Sequence, residues 1–233
     1  MIINPFILDQ ATPWTNTLST TFDGVDDYVT MDGSASIFSS SYSVSFWFNG
    51  TTFPIGGPGG RVLFALHTAA GGNLLFVVAD TQGILHTFNN SSIRAQGTTQ
   101  TSTGTWNHCA ITTDGTNMKL YKNGTLEDTS ATGNYNTGTV GLVSLAQEWD
   151  GATPSDFYNG KLDEVAFFNS EISASDITTI YNSGVPTDLT SLAPSSWYRM
   201  GDGDTFPTIT DNAGSNNATM VNMTSGDFVA DVP

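Results

Sequence analysis

The chain is short of cysteine, of positive charge and of long apolar runs, and each shortage removes a class of protein. One cysteine, Cys109, in 233 residues excludes an intramolecular disulfide framework. Flanked by Ala110 and Ile111, it reads as a small buried strand residue and not as a nucleophile. Six Lys plus Arg stand against 22 Asp plus Glu, a formal net charge of −16. Six cations cannot neutralise a phosphate backbone, so nucleic acid is not an expected partner. No apolar run approaches the roughly 20 residues a spanning helix needs, so membrane insertion is not expected either. The first residues, MIINPFILDQ, lack a basic region, a long apolar stretch and a small-residue cleavage site. The expectation is therefore a protein made in a cytoplasm without a secretory signal. The Asn-Gly-Thr sequons at Asn49 and Asn123 then read as turn chemistry.

What is present is strand and turn. The chain is 38% hydrophobic and 11% aromatic but 12% charged, with Gly, Ser, Thr and Asn as the polar residues, a balance that predicts many strands joined by many turns. Its length fits one all-β sandwich, and the negative charge opposes aggregation of so much sheet. Residues 41–49, SYSVSFWFN, alternate Tyr42, Val44, Phe46 and Phe48 with Ser43, Ser45 and Trp47, a strand with one face in a core. RVLFALH, NLLFVVAD and GILHTFN read as an antiparallel meander after a Pro and Gly loop. Residues 106–130 read as a hairpin series turning at Asp114-Gly115 and at Asn123-Gly124, the latter suited to a type I′ turn. The one helix signal is residues 173–181, with Ser173 as N-cap, Asp176 completing a capping box, Ile177, Ile180 and Tyr181 on one face, and Gly184 and Pro186 as the stop.

Two stretches carry candidate chemistry. In residues 22–29, FDGVDDYV, and residues 161–169, KLDEVAFFN, carboxylates interrupt strand patterns. Asp23, Asp26, Asp27 and Asp163 have the hard oxygens Ca²⁺ requires if the fold brings them together; the other reading is capped, solvated turns. The loop AQEWDGATPSDFYNG carries Trp149, Phe157 and Tyr158, either a lid on the sandwich end or a sugar-stacking platform. Glycan-binding candidates are Tyr135, Trp149, Asp150 and Tyr158. His67, His86 and His108 lie within apolar strands and read as structural imidazoles. Residues 1–20 read as an N-terminal docking arm, with Ile2, Ile3, Phe6 and Ile7 as apolar anchors for a neighbouring subunit or for the chain's own sandwich.

The order FDGVDDYV, SVSFWFN, WNHCAITTDGTNMKLYKNG, GKLDEVAFFNSEISASDITTIYNSG resembles the laminin-G-like jelly rolls of the concanavalin A-like lectin and glucanase superfamily, from about Phe22 to Gly184. The resemblance implies an all-β, two-sheet antiparallel jelly-roll sandwich with one short helix, with Ca²⁺ at one rim held by Asp23 and Asp163 and supported by Asp26. Catalytic members place paired carboxylates on alternate strand positions. Here Asp163 and Glu164 are adjacent, which in a regular strand sends them to opposite faces, so a non-enzymatic protein is expected. Residues 196–223 resemble the strands that usually stand before the FDG block. Residues 21–233 are therefore expected to form a single sandwich in circularly permuted order, with residues 187–233 supplying those strands, or else to swap them into a neighbour's sheet as an oligomer. Two functions follow as expectations. One is a virion-surface structural protein, a phage capsid decoration or fibre-associated subunit contacting other virion subunits, with a possible glycan on the host surface as ligand. The other is a Ca²⁺-dependent carbohydrate-binding module.

Overall fold

The computed structural model describes residues 14–53, 61–89, 92–131, 140–151 and 153–233. In chain order the strands are β1 (Ser19–Asp23), β2 (Tyr28–Thr30), β3 (Tyr42–Gly50), β4 (Arg61–Thr68), β5 (Asn73–Ala79), β6 (Leu85–Asn89), β7 (Ser92–Gln96), β8 (Asn107–Thr113), β9 (Asn117–Lys122), β10 (Thr125–Ala131), β11 (Val140–Leu145), β12 (Glu148–Asp150), β13 (Thr153–Ser155) and β14 (Asn159–Phe168); helix α1 (Ala174–Tyr181) is followed by β15 (Ser196–Tyr198), β16 (Thr208–Ile209), β17 (Ala218–Val221) and β18 (Phe228–Val229). Two eight-stranded antiparallel sheets pack face to face. The first runs β10-β9-β8-β3-β14-β1-β18, with β15 also paired to β14, and the second runs β16-β17-β2-β11-β4-β5-β6-β7. β12 and β13 pair only with each other, as a hairpin outside both sheets.

Period-2 alternation sets the core. Val44, Phe46 and Phe48 of β3 face Phe64 and Leu66 of β4 and Leu75 and Val77 of β5, with Val165 and Phe167 of β14 beside them. Every residue of β3 is buried, where the sequence predicts one buried face. The reason is α1, which lies on the outer face of the first sheet: Trp47 stacks on Tyr181 at 5.7 Å, and Ile177 and Ile180 pack against Ala110, Tyr121, Ala166 and Phe168. The helix begins as its sequence predicts, with Ser173 Oγ accepting from the Asp176 amide and the Asp176 carboxylate accepting from the Ser173 amide. It ends two residues before Gly184, at Asn182, whose left-handed backbone closes the last turn. Asn123 and Gly124 both have positive φ, as a type I′ turn requires.

Residues 187–233 add strands to both sheets of their own chain. β15 extends from β14 through Ala166↔Trp197, β18 borders β1, and β17 lies against β2 through Met220↔Val29. Trp197 is buried among Ala166, Phe168 and Leu189.

One expectation about β14 is corrected. Adjacent strand residues should face opposite ways, but the register shifts between Asp163 and Ala166 and Glu164 has positive φ, so both carboxylates are buried. Asp163 accepts from Asn16 Nδ2 at 2.8 Å and from the Glu164 amide. Glu164 accepts from Trp197 Nε1 at 2.6 Å and from Arg199, whose guanidinium also reaches Asp202 and the Thr15 carbonyl and stacks on Trp14. Burial raises the proton affinity of both acids, with Arg199 opposing it at Glu164. The pair is sealed inside a structural ionic knot.

Candidate functional site

The site is built on the β12–β13 hairpin, inside the stretch that reads as a loop in sequence. After β11 the chain stays beside β4: the Ala146 amide donates to Leu63 O, and the Val62 amide to Asp156 O. Between these two anchors the hairpin packs on β4 and β5. Its tip presses on the β4–β5 turn so tightly that a Cβ on Gly71 would lie 1.5 Å from the Gly151 carbonyl oxygen. Gly71 also has φ +77, so glycine is required there twice over.

The hairpin carries two kinds of surface. On one side Trp149 meets Tyr28 of β2 edge-on at 6.2 Å, and Tyr28 meets Phe157 at 6.4 Å. All three rings are half-buried and form a connected aromatic surface. On the other side lies a set of polar groups, most of them buried. Glu148 Oε1 and Asp150 Oδ2 share the Ser155 hydroxyl at 3.4 and 3.3 Å. Glu148 Oε2, Asn73 Oδ1, both amide atoms of Gln147 and both ring nitrogens of His67 are buried without a well-formed hydrogen bond, the Asn73 amide being the near neighbour that acts on His67 and on Glu148. Asn73 sits directly across the strand pair from His67 and also influences Glu148. Burial, then Asp150 and Asp156, push the Glu148 pKa up; burial pulls His67 down to about 4, so its imidazole stays neutral. Unpaired buried polar atoms each cost about 1–3 kcal/mol. Glu148 and Asp150 thus meet at one hydroxyl with the Asn73 amide beside Glu148, and carboxylate and amide oxygens are the ligand types that Ca²⁺ takes.

The metal set expected from the sequence is not brought together as a whole. Asp23 pairs with Asn159 and Asp163 with Trp47, four residues along β14, about 13 Å at strand spacing. The cluster that does form is Asp23, Asp26 and Asp27, with carboxylate oxygens within 4.8 Å of one another. Its acids are engaged by their own turn: Asp23 Oδ1 accepts from the Val25 and Asp26 amides, and Asp27 Oδ2 accepts from the Asp23 amide at 3.0 Å. Burial foremost, with Asp23 and Asp26 among the neighbouring acids, raises the Asp27 pKa to about 6.

Of the expected glycan contacts, Trp149 and Asp150 lie in the site. Tyr158 does not: it is fully buried, its ring 6.4 Å from Phe22 and its hydroxyl directed at the Lys161 carbonyl. Tyr135 and the arm residues Ile2, Ile3, Phe6 and Ile7 lie outside the described residues. Tyr28, Asn73 and His67 belong to the site and escape a sequence reading, because each joins it from a distant strand. Tyr28 alone leaves a trace, as the aromatic directly after Asp27. His86 is held by Asp80 at 2.8 Å, and His108 lies between Ser45, Trp47 and Tyr181 with its pKa lowered by burial to about 3. A cleft of about 250 Å³ lies away from the hairpin, beside Trp197, Asn212 and Pro194, but the Trp197 indole is committed to Glu164.

A family model described as the concanavalin A-like lectin/glucanases superfamily matches residues 23–178. No curated protein matches the chain. Among solved structures, a putative carbohydrate binding protein from Bacteroides ovatus aligns at 17% identity and TM-score 0.68, covering 91% of this chain and 60% of its own. A heptameric SAP-like pentraxin from Limulus polyphemus aligns at 17% identity and TM-score 0.57, over 71% of this chain and 82% of its own. The CBM40 of a Ruminococcus gnavus sialidase, bound to α2,3-sialyllactose, aligns at 12% identity and TM-score 0.56, over 72% of this chain and 100% of its own. At these identities the likeness is one of fold.

Proposed function

Because the chain belongs to the concanavalin A-like lectin/glucanases superfamily, we propose that it is a non-enzymatic carbohydrate-binding protein whose ligand lies on the β12–β13 hairpin. The observation that carries this reading is the connected surface of Tyr28, Trp149 and Phe157, since the apolar face of a sugar ring stacks on an aromatic plane while its hydroxyls reach the polar groups around it. The carbohydrate-binding proteins of like fold support it. A calcium ion under the hairpin, held by Glu148, Asn73, Gln147 and Asp150, would fix the platform by joining the hairpin to β5. These residues suit Ca²⁺ better than the Asp23–Asp26–Asp27 turn does, because Glu148 Oε2, Asn73 Oδ1 and Gln147 Oε1 are buried without a well-formed hydrogen bond while the oxygens of the turn already accept backbone amides.

A glycan array probed in Ca²⁺ buffer tests the reading. A defined set of glycans should bind, and Trp149→Ala should weaken each by about tenfold, since a lost stacking contact is worth about 1.5 kcal/mol. An array without signal above background, or signal that Trp149→Ala leaves unchanged, overturns it.

A further inference from the structure

The aromatic platform is bordered by acid at every ring. Asp27 precedes Tyr28, Glu148 and Asp150 flank Trp149, and Asp156 precedes Phe157. The ring contacts join these three segments and so bring acids of separate elements near one surface: Glu148, Asp150 and Asp156 act on one another beneath and beside the hairpin, while Asp27 is buried and engaged by the Asp23 amide. Asp26 and Asp150 are exposed, as is Asp156, and Asp32 is close enough to Tyr28 to act on its hydroxyl. Against them stands Arg61, whose field reaches Asp156. Of the other cations, Lys119 is paired with Glu171, Lys161 with Asp231, and Arg199 with Glu164 and Asp202, Lys122 donates to the Thr99 and Gln100 carbonyls, and Arg94 stands on the edge strand β7, several strands away from β2. A single Ca²⁺ adds two positive charges and Arg61 one beside Asp26, Asp32, Glu148, Asp150 and Asp156, so the surface stays net negative with the ion bound.

We infer that this surface selects uncharged glycans and excludes those bearing sialic acid, uronic acid or sulfate. The inference rests on the carbohydrate-binding reading and goes beyond it by fixing the ligand's charge class. Each exposed carboxylate within about 8 Å of a ligand anion weakens binding by about twofold in water, and several acting together give about tenfold or more. The exclusion is therefore a salt-dependent property, whereas stacking on the rings is not.

The test compares matched pairs, such as lactose with sialyllactose, by calorimetric titration in Ca²⁺ buffer at low and at high salt. The neutral member should bind at least tenfold more tightly at low salt, and 0.5 M NaCl should narrow the gap. Asp26→Asn with Asp156→Asn should raise affinity for the acidic member several-fold and leave the neutral member unchanged. An acidic glycan that binds as tightly as its neutral partner at low salt overturns the inference and leaves the carbohydrate-binding reading standing. If no glycan of either kind binds across the array, both fall.

Discussion

Asp163 and Glu164 show how a residue's chemistry can be legible while its role is not. Their types and adjacency are plain in KLDEVAFF, and alternation alone sends one of them outward. The bulge at Glu164 overrides alternation, because the ionic knot with Arg199, Trp197 and Asn16 satisfies both acids inside. The signal that could have indicated this is the single Arg of SWYRMGDGD, one of six cations, a residue rarely buried unless paired. The knot has a pH signature. Burial holds the folded-state pKa of both acids above their unfolded values. Between roughly pH 4.5 and pH 7 the folded protein therefore binds more protons than the unfolded chain, and stability falls as pH rises through that window. Asp163→Asn should flatten this slope, so the fall in melting temperature between pH 5 and pH 8 should be smaller than in the wild type. An unchanged slope in the variant would assign the pH dependence to other groups, Asp27 first among them.

At the scale of elements, what the sequence makes legible is what local rules control. The capping box of α1, the Asn123-Gly124 turn and the core alternation of β3 follow from residues close in sequence, and the structure contains each. The β12–β13 hairpin was not legible, since its strands are three residues each and Glu148, Trp149 and Asp150 show no apolar alternation. It exists because it packs on β4 and β5 and because Gly71 leaves room for its tip. β7, SIRAQ, leaves little trace in the sequence for a similar reason: as an edge strand it is largely exposed and carries few apolar residues. Gly71→Ala should lift the hairpin from the β4–β5 turn while sparing the core, because the clash is with backbone. Glycan affinity should then fall at least tenfold with a loss of a few degrees or less in melting temperature. Retained affinity in a folded Gly71→Ala protein would mean that the hairpin does not form the site.

Over the whole molecule, residues 187–233 are built into the sandwich. They border β1 and β2 and supply Trp197 and Tyr198 to the packed interior. Two sheets and a covering helix make the scaffold, and several of its buried polar groups without a well-formed hydrogen bond, on His67, Asn73, Gln147 and Glu148, belong to the hairpin and to the end of β4 and β5 that it packs on. The central claim is that these groups form one calcium-linked glycan site. The measurement that tests it most directly is calorimetric titration of a glycan selected on the array into metal-stripped protein, with and without Ca²⁺, for the wild type and for Glu148→Gln. If Ca²⁺ strengthens glycan binding, the glycan strengthens Ca²⁺ binding by the same factor. Ca²⁺ should raise glycan affinity at least tenfold in the wild type and have little effect in Glu148→Gln. Equal affinity in Ca²⁺ and in EGTA for the wild type, or an undiminished Ca²⁺ effect in Glu148→Gln, would contradict the account.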